Sequence, residues 1–266
     1  MAEWWPSGRS WAGDWRRSWS DLLSASSAVA ASLGLPASGV LPGDPFTVVV
    51  DAARAWLVGL PRTFRISGRD LTLTLTDIAV EGSDMARAMG QYGQVRIRAR
   101  DIQWDGYQFD RLEILARNVH LRPGRQPALV AAPLLVEVFV PVSVASRWLA
   151  AALPRFEVTW RDGLPQLSRA RAPWARLEVE AGAEGRAILI WPRALLLRGR
   201  HISLRSPAFR LAWPGLPRDL LLTEAEPAAG GFVVRGRLGE WQRSLSRADI
   251  ERLLAAMRGG KDRLDL

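Results

Sequence analysis

Apolar and polar residues alternate along most of the chain with a period of two, which predicts a protein built mainly of β-strands. The clearest alternation puts an apolar residue at every second position from Leu134 to Val144. The predicted strands cover about 62–80, 94–104, 107–121 and 133–142 in the first half and about 156–160, 174–180, 187–191, 195–204, 209–213, 220–225 and 232–238 in the second. Gly and Pro residues separate the later strands, and Asp105-Gly106 predicts a hairpin turn.

One six-residue pattern recurs four times, and at each copy the apolar phase of the alternation shifts by one residue. The copies begin at Gly68, Ala99, Ala116 and Gly199, each with arginine in second place. Because side chains alternate between the two faces of a strand, one apolar face continues across such a shift only where an extra residue forms a β-bulge. A corner between two strands produces the same shift, so both interpretations stay open. Repeated bulges would curve the sheet.

Helical periodicity is confined to a few segments. The spacing predicts helices over about 44–60, over Ser143–Leu153 and over Ser246–Met257, and a short helical or loop excursion over about 81–92. In the first 33 residues, tryptophan and arginine occupy opposite faces of a further predicted helix, a composition typical of a helix in a membrane interface. The residues of this predicted membrane interface are Trp11, Trp15, Trp19, Arg16 and Arg17. A helix packed on the protein's own body, or an unstructured end, is the alternative.

These elements predict three regions and an α+β fold. Residues 1–43 form a Trp-rich amphipathic segment and a Gly/Pro linker, residues 44–240 the main domain, and residues 241–266 a C-terminal amphipathic helix and tail. The expected architecture is a long, curved and bulged antiparallel sheet wrapped around one or two helices, with an amphipathic N-terminal helix.

Composition narrows the choice of partner and compartment. The formal net charge is +9, which favours an anionic partner, although Lys261 is the only lysine and so marked a preference for arginine is also explained by genome base composition. There is no cysteine, which excludes disulfides and thiolate chemistry. No run of eighteen apolar residues and no convincing signal peptide is present, so we expect a peripheral membrane protein on the cytoplasmic face, with export to the cell envelope as the alternative.

No reactive constellation emerges from the sequence. The two histidines, His120 and His201, lie inside copies of the recurring pattern and are more simply strand residues than bases or metal ligands. The densest acidic group, Asp101, Asp105, Asp110 and Glu113, surrounds the predicted hairpin turn and is better explained as part of it. Phosphate-loop, nucleophile-elbow and zinc-protease motifs are absent. We therefore expect a protein without enzymatic activity, cofactor or metal.

Two stretches resemble the LmeA-like family of bacterial phospholipid-binding proteins. The first runs from Val95-Arg96-Ile97-Arg98-Ala99-Arg100-Asp101-Ile102 through Gly106 to Phe109-Asp110-Arg111-Leu112. The second joins Leu216-Pro217-Arg218-Asp219-Leu220 to Gly231-Phe232-Val233-Val234-Arg235-Gly236. The valine-rich unit from Leu134 to Leu153 also lies where the family has a comparable one, and the likeness covers about Pro45 to Glu240. The resemblance implies a tubular lipid-binding type of fold and binding of phospholipid.

The leading hypothesis is therefore a phospholipid-binding or lipid-transfer protein that acts at a membrane surface. Its apolar groove would be lined by Leu71, Leu73, Leu75, Ile97, Ile102, Ile114, Val119, Val136, Val138, Val140, Trp56 and Trp148. A structural or partner-binding protein whose core is filled by its own side chains is the second hypothesis. Nucleic-acid binding is the least favoured, because most aromatic residues of the main domain fall on the interior phase rather than on an exposed stacking platform.

Overall fold

The fold consists of two antiparallel β-sheets that share one hydrophobic core. The computed structural model describes residues 54–55, 57–66, 69–88, 90–122, 128–161, 164–169, 171–198, 200–213, 216–244 and 263–265. Strands account for 72% of the described residues and helices for 10%. The antiparallel sheet character expected from the period-two alternation is confirmed.

The first sheet has ten strands, which come from the N-terminal and C-terminal parts of the described chain. Its strands are β1 (Pro61–Ile66), β2 (Arg69–Glu81), β3 (Gln91–Trp104), β4 (Tyr107–Arg122), β5 (Ala128–Ala131), β6 (Leu134–Pro141), β13 (Leu221–Ala228), β14 (Gly231–Leu238), β15 (Trp241–Ser244) and β16 (Arg263–Asp265). The main path runs β13-β14-β6-β4-β3-β2-β1-β16, and β5 and β15 extend the end of β4. Every pair is antiparallel except β1 with β16.

The second sheet has six strands and is formed by the middle of the chain. Its strands are β7 (Glu157–Arg161), β8 (Leu164–Arg169), β9 (Ala172–Glu184), β10 (Ala187–Leu197), β11 (Arg200–Ser203) and β12 (Phe209–Ala212). They follow the order β11-β10-β9-β8-β7, with β12 also paired to β10. Strand β8 was not predicted, because Leu164-Pro165-Gln166 offers no clean alternation and proline argues against a strand.

The described part of the chain contains two named helices, α1 (Asp84–Ala88) and α2 (Val142–Ala152). Both fall where the sequence predicts helical structure. The predicted α+β fold with a sheet wrapped around helices is wrong, because strands make up 72% of the described residues and helices 10%. Helix α2 has 11 residues and spans about 16 Å, whereas the 16 residues of β4 span about 50 Å. The second sheet covers the apolar face that a helix was expected to cover. The predicted N-terminal helix and the helix over Ser246–Met257 lie outside the described residues.

The recurring pattern has two structural outcomes. The copies that begin with Ala99 and Ala116 are β-bulges: Asp101 and Asn118 have φ values of 54° and 49°, and the strand register shifts beside each of them. The copies that begin with Gly68 and Gly199 stand at hairpin turns, since Ile66 pairs with Arg69 and Leu197 with Arg200. The bulge interpretation is therefore confirmed at two positions and wrong at two, where the predicted strands 62–80 and 195–204 each divide into separate strands.

Candidate functional site

The inner face of the first sheet carries apolar residues that stand side by side across neighbouring strands. One such row is Ile78, Ile97, Ile114, Val136 and Gly236, and the next is Leu75, Ala99, Leu112, Val138 and Val234. The strand register that places these residues opposite one another depends on the bulge at Asp101 and on a second register shift in β2, between Leu75 and Asp77. Because one extra residue at each point restores the phase, the whole inner face stays apolar.

The second sheet has a matching apolar row, of which Val158, Leu167 and Leu177 belong to the shared core or pack against it. Its members, one from each of five strands, are Val158, Leu167, Leu177, Leu195 and Ile202. Leu167 is 2% exposed and Ile202 is 43% exposed, so burial decreases from the middle of the row towards β11. Along this row the core ends before Leu195 and Ile202, whereas further along β10 and β12 it includes Ile188, Ile190 and Leu211.

Helix α2 closes one side of this core. Val144, Ala145 and Leu149 form its buried face. The indole Nε1 of Trp160 on β7 donates a hydrogen bond of 2.6 Å to Ser146 Oγ, which attaches the helix to the second sheet. Arg147, on the exposed side, donates to the Gly106 carbonyl at 3.0 Å and lies over the Tyr107 ring at 4.8 Å, which attaches the helix to the β3–β4 turn.

Two small apolar cavities lie beside α2 and share the side chains of Val140 and Trp148. The larger measures about 20 Å³, and its lining is Val140, Ala145, Trp148, Leu149, Ala181, Ile188, Ile190, Leu211, Ala225, Phe232 and Val234. The smaller measures about 10 Å³ and is lined by Tyr107, Phe109, Val140, Val144, Trp148 and Trp213. A cavity of about 15 Å³ holds one water molecule, so neither accommodates an acyl chain in this conformation.

Aromatic rings form the walls of these cavities. Trp213 stacks on Phe109 with 5.8 Å between ring centroids and meets Trp148 edge-on at 5.4 Å. Trp160 meets Phe232 edge-on at 5.2 Å across the gap between the sheets. Such pairs add about 1 kcal/mol each to the effect of burial. An acyl chain could enter only where these rings or α2 move apart.

The structure brings most of the predicted groove residues onto one surface. Leu71, Leu73, Leu75, Ile97, Ile102, Ile114, Val136, Val138, Val140 and Trp148 all belong to the main core cluster or pack against it. Val119 belongs to a second, smaller cluster with Tyr92, Leu121 and Ala131. Of the described members of the predicted set, Val140 and Trp148 line the two cavities beside α2. Trp56 and the interface residues Trp11, Trp15, Trp19, Arg16 and Arg17 lie outside the described residues.

The second sheet supplies cavity residues that the sequence reasoning did not assign to the groove. Ile188, Ile190, Leu211 and Ala181 line the larger cavity from this side, and Phe232 and Val234 line it from β14. The alternation of Ile188 with Ile190 and of Phe232 with Val234 was visible in the sequence. This alternation identifies an apolar face on each strand, but it does not show which other strand or helix packs against that face.

The outer face of the first sheet is charged, as the alternation predicts, but its central arginines are paired. Arg98 Nε lies 2.9 Å from Glu113 Oε2, and Arg96 contacts both Glu113 and Glu81. Arg235 contacts Glu137 at 3.0 Å, Glu224 at 2.6 Å and Glu226 at 2.8 Å. The hydrogen bond from Arg235 is the main cause that lowers the pKa of the Glu226 carboxyl, and these carboxylates raise the pKa of Arg235. The central arginines of this face are therefore compensated, whereas Arg111, Arg117 and Arg237 of the same sheet are exposed and form no ion pair among the described residues.

The histidines and the acidic group have structural partners. His120 Nδ1 lies 2.9 Å from the carbonyl oxygen of Asn118, and His201 Nε2 lies 3.2 Å from Glu178. Asp105 forms the predicted hairpin turn with Gly106, both at positive φ, and pairs with Arg69. Among the described residues no group of three or more His, Asp or Glu side chains could hold a metal ion, and no helix there is long and apolar enough to cross a membrane.

Comparison of the chain with models of protein families, with curated proteins and with solved structures finds no match.

Proposed function

We propose that this protein binds phospholipid at a membrane surface and holds an acyl chain between α2 and the two sheets. The observation that supports the proposal is the larger cavity, because its lining is entirely apolar and comes from one helix and both sheets. Such a boundary widens when the helix moves, and no strand pairing has to break. Each methylene buried there would contribute about 0.8 kcal/mol to binding.

The main test is lipid extraction of the purified protein followed by mass spectrometry, together with uptake of a fluorescent phospholipid. Co-purified phospholipid or saturable uptake supports the proposal. If neither co-purified phospholipid nor uptake is observed, the second candidate remains, which is a structural or partner-binding protein. The small volume of both cavities favours that second candidate.

A pair of substitutions separates cavity occupation from general loss of packing. Ala145 and Ala131 are each 2% exposed, but only Ala145 lines the cavity. Ala145→Leu and Ala131→Leu each overpack a buried site at a cost of about 1–3 kcal/mol. We expect Ala145→Leu to reduce phospholipid uptake at least severalfold and Ala131→Leu to leave uptake of the folded protein unchanged. Equal uptake by both variants would contradict the assigned cavity.

A further inference from the structure

Two hairpin turns of the second sheet lie side by side at one end of it. The β8–β9 turn leads directly into Trp174, and the β10–β11 turn begins at Arg198, whose backbone N–H donates to the Trp174 carbonyl at 3.5 Å. Leu197 pairs with Ala175, which fixes the second turn beside the start of β9. We name this end the arginine tip and define it as Arg169, Arg171, Trp174, Arg198 and Arg200.

The four arginines of the tip are exposed and have no carboxylate partner among the described residues. Within the part of the chain that the structure describes, Arg169 stacks on Phe156 at 5.4 Å and Arg198 on Trp174 at 5.7 Å, and none of the four forms a salt bridge. A cation–π contact orients a guanidinium group but leaves its charge in place. The acidic residues nearest along the strands are Glu157 and Glu178, and Glu178 bonds His201 and Gln166. The tip therefore presents four uncompensated positive charges.

One large apolar side chain stands among these charges. Trp174 is 53% exposed. Tryptophan prefers the headgroup level of a bilayer, where the ring is in apolar surroundings and the indole N–H is hydrated, and arginine beside it meets the phosphates. A single-stranded nucleic acid would instead need successive aromatic platforms, and Trp174 is the one exposed aromatic residue of the tip as defined here.

We propose that the arginine tip is the surface by which this protein docks on an anionic lipid bilayer, with Trp174 inserted at headgroup level and the four arginines on the phosphates. This inference rests on the proposed function because both assume that the protein acts at a membrane surface. Docking on a vesicle and uptake of a phospholipid are separate measurements, so either can fail without the other.

The test is flotation of the full chain with vesicles of phosphatidylcholine, with and without about one third phosphatidylglycerol. The tip variant carries Arg169→Gln, Arg171→Gln, Arg198→Gln and Arg200→Gln. The control variant loses the same charge through Arg111→Gln, Arg117→Gln, Arg218→Gln and Arg237→Gln, at exposed positions away from the tip. Since each arginine near an anionic surface contributes about fivefold to affinity, we expect the tip variant to bind at least about a hundredfold more weakly and the control much less so.

A second measurement reports the position of Trp174 itself. Phospholipids brominated on their chains quench inserted indole rings, and the fluorescence difference between the wild type and Trp174→Phe isolates this residue. We expect quenching of that component on anionic vesicles. Equal loss of binding in both fourfold variants, or binding without quenching of Trp174, would overturn the proposal and leave another surface in contact with the vesicle. Tip-dependent binding of a single-stranded oligonucleotide but not of vesicles would assign the tip to nucleic acid and overturn it as well.

Discussion

The outer face of the first sheet and the arginine tip of the second sheet are both rich in arginine, but the arginines differ in whether a carboxylate pairs with them. On the first sheet, strand register places Arg98 opposite Glu113 and Arg235 opposite Glu137, so the charges are compensated within the fold. At the tip, the arginines flank hairpin turns and have no carboxylate across the strand. The comparison teaches that net charge does not locate a binding surface. What sets the tip apart is that its arginines cluster at two adjacent turns around the exposed Trp174.

Reversal of charge at the tip should have the largest effect. Arg198→Glu combined with Arg200→Glu changes the tip by four charges, and we expect affinity for anionic vesicles to fall by about two to three orders of magnitude. Stability should stay within about 0.5 kcal/mol, because both side chains are exposed. Vesicle flotation and urea unfolding measure the two quantities. Arg218→Glu with Arg237→Glu is the control, and an equal loss of binding there would contradict a local surface.

Removal of the central arginine of the first sheet should act on stability instead. Arg235→Gln leaves Glu137, Glu224 and Glu226 without their shared cation, and we expect a loss of about 1 kcal/mol in the free energy of unfolding. Arg237→Gln, two residues further along β14 and exposed, should change it by only a few tenths. Urea unfolding compares the two variants. Equal destabilisation would mean that the network contributes nothing.

The same network should make stability depend on pH in acid. Arg235 lowers the pKa of Glu226 below its ordinary value of 4.5, so this carboxylate stabilises the folded state above about pH 4.5. That contribution is lost as pH falls below 4.5 and through the folded-state pKa, because the unfolded chain takes up the proton first. We expect the difference in unfolding free energy between wild type and Arg235→Gln to shrink over this range. A difference that is constant with pH would contradict the assignment.

Salt concentration should affect the arginine tip and the ion pairs of the first sheet differently, and this test requires no substitution. Raising ionic strength from about 0.05 M to about 0.5 M shortens the Debye length severalfold. Vesicle binding through the tip should weaken strongly, whereas the unfolding midpoint should shift only slightly, because paired charges at 2.6–3.0 Å are screened less. Flotation and urea unfolding at the two salt concentrations provide the comparison. Vesicle binding that is insensitive to salt would point to apolar insertion as its main source.

The recurring pattern shows how far local sequence could predict this fold. A phase shift in the alternation arises equally from a bulge and from a hairpin, so it identified four positions without separating the two outcomes. In retrospect the first residue of each copy separates them: the copies beginning with Ala99 and Ala116 are bulges, and those beginning with Gly68 and Gly199 are turns. Glycine suits a tight turn, whereas alanine continues a strand and leaves the left-handed conformation to Asp101 or Asn118.

The candidate cavity could be predicted only in part. The alternation in β2, β3, β4 and β6 was sufficient to predict that Leu75, Ile97 and Val138 lie on the same face of the sheet. Nothing in that phase shows that Ile188 and Ile190 of the second sheet complete the lining, because contacts between sheets join residues far apart in the chain. The helix-wrapped architecture was wrong for the same reason, since an apolar sheet face needs a cover but does not specify which element supplies it.

The sequence by itself determined that this protein is built of antiparallel strands with one apolar and one charged face, and that its phase shifts fall at four particular positions. The tertiary structure decided which arginines are neutralised, which shifts are bulges, and that a second sheet and not a helix covers the core. The physical reason is that side-chain alternation is a local property of each strand. Pairing of charges and covering of apolar faces depend on register and on contacts between residues distant along the chain.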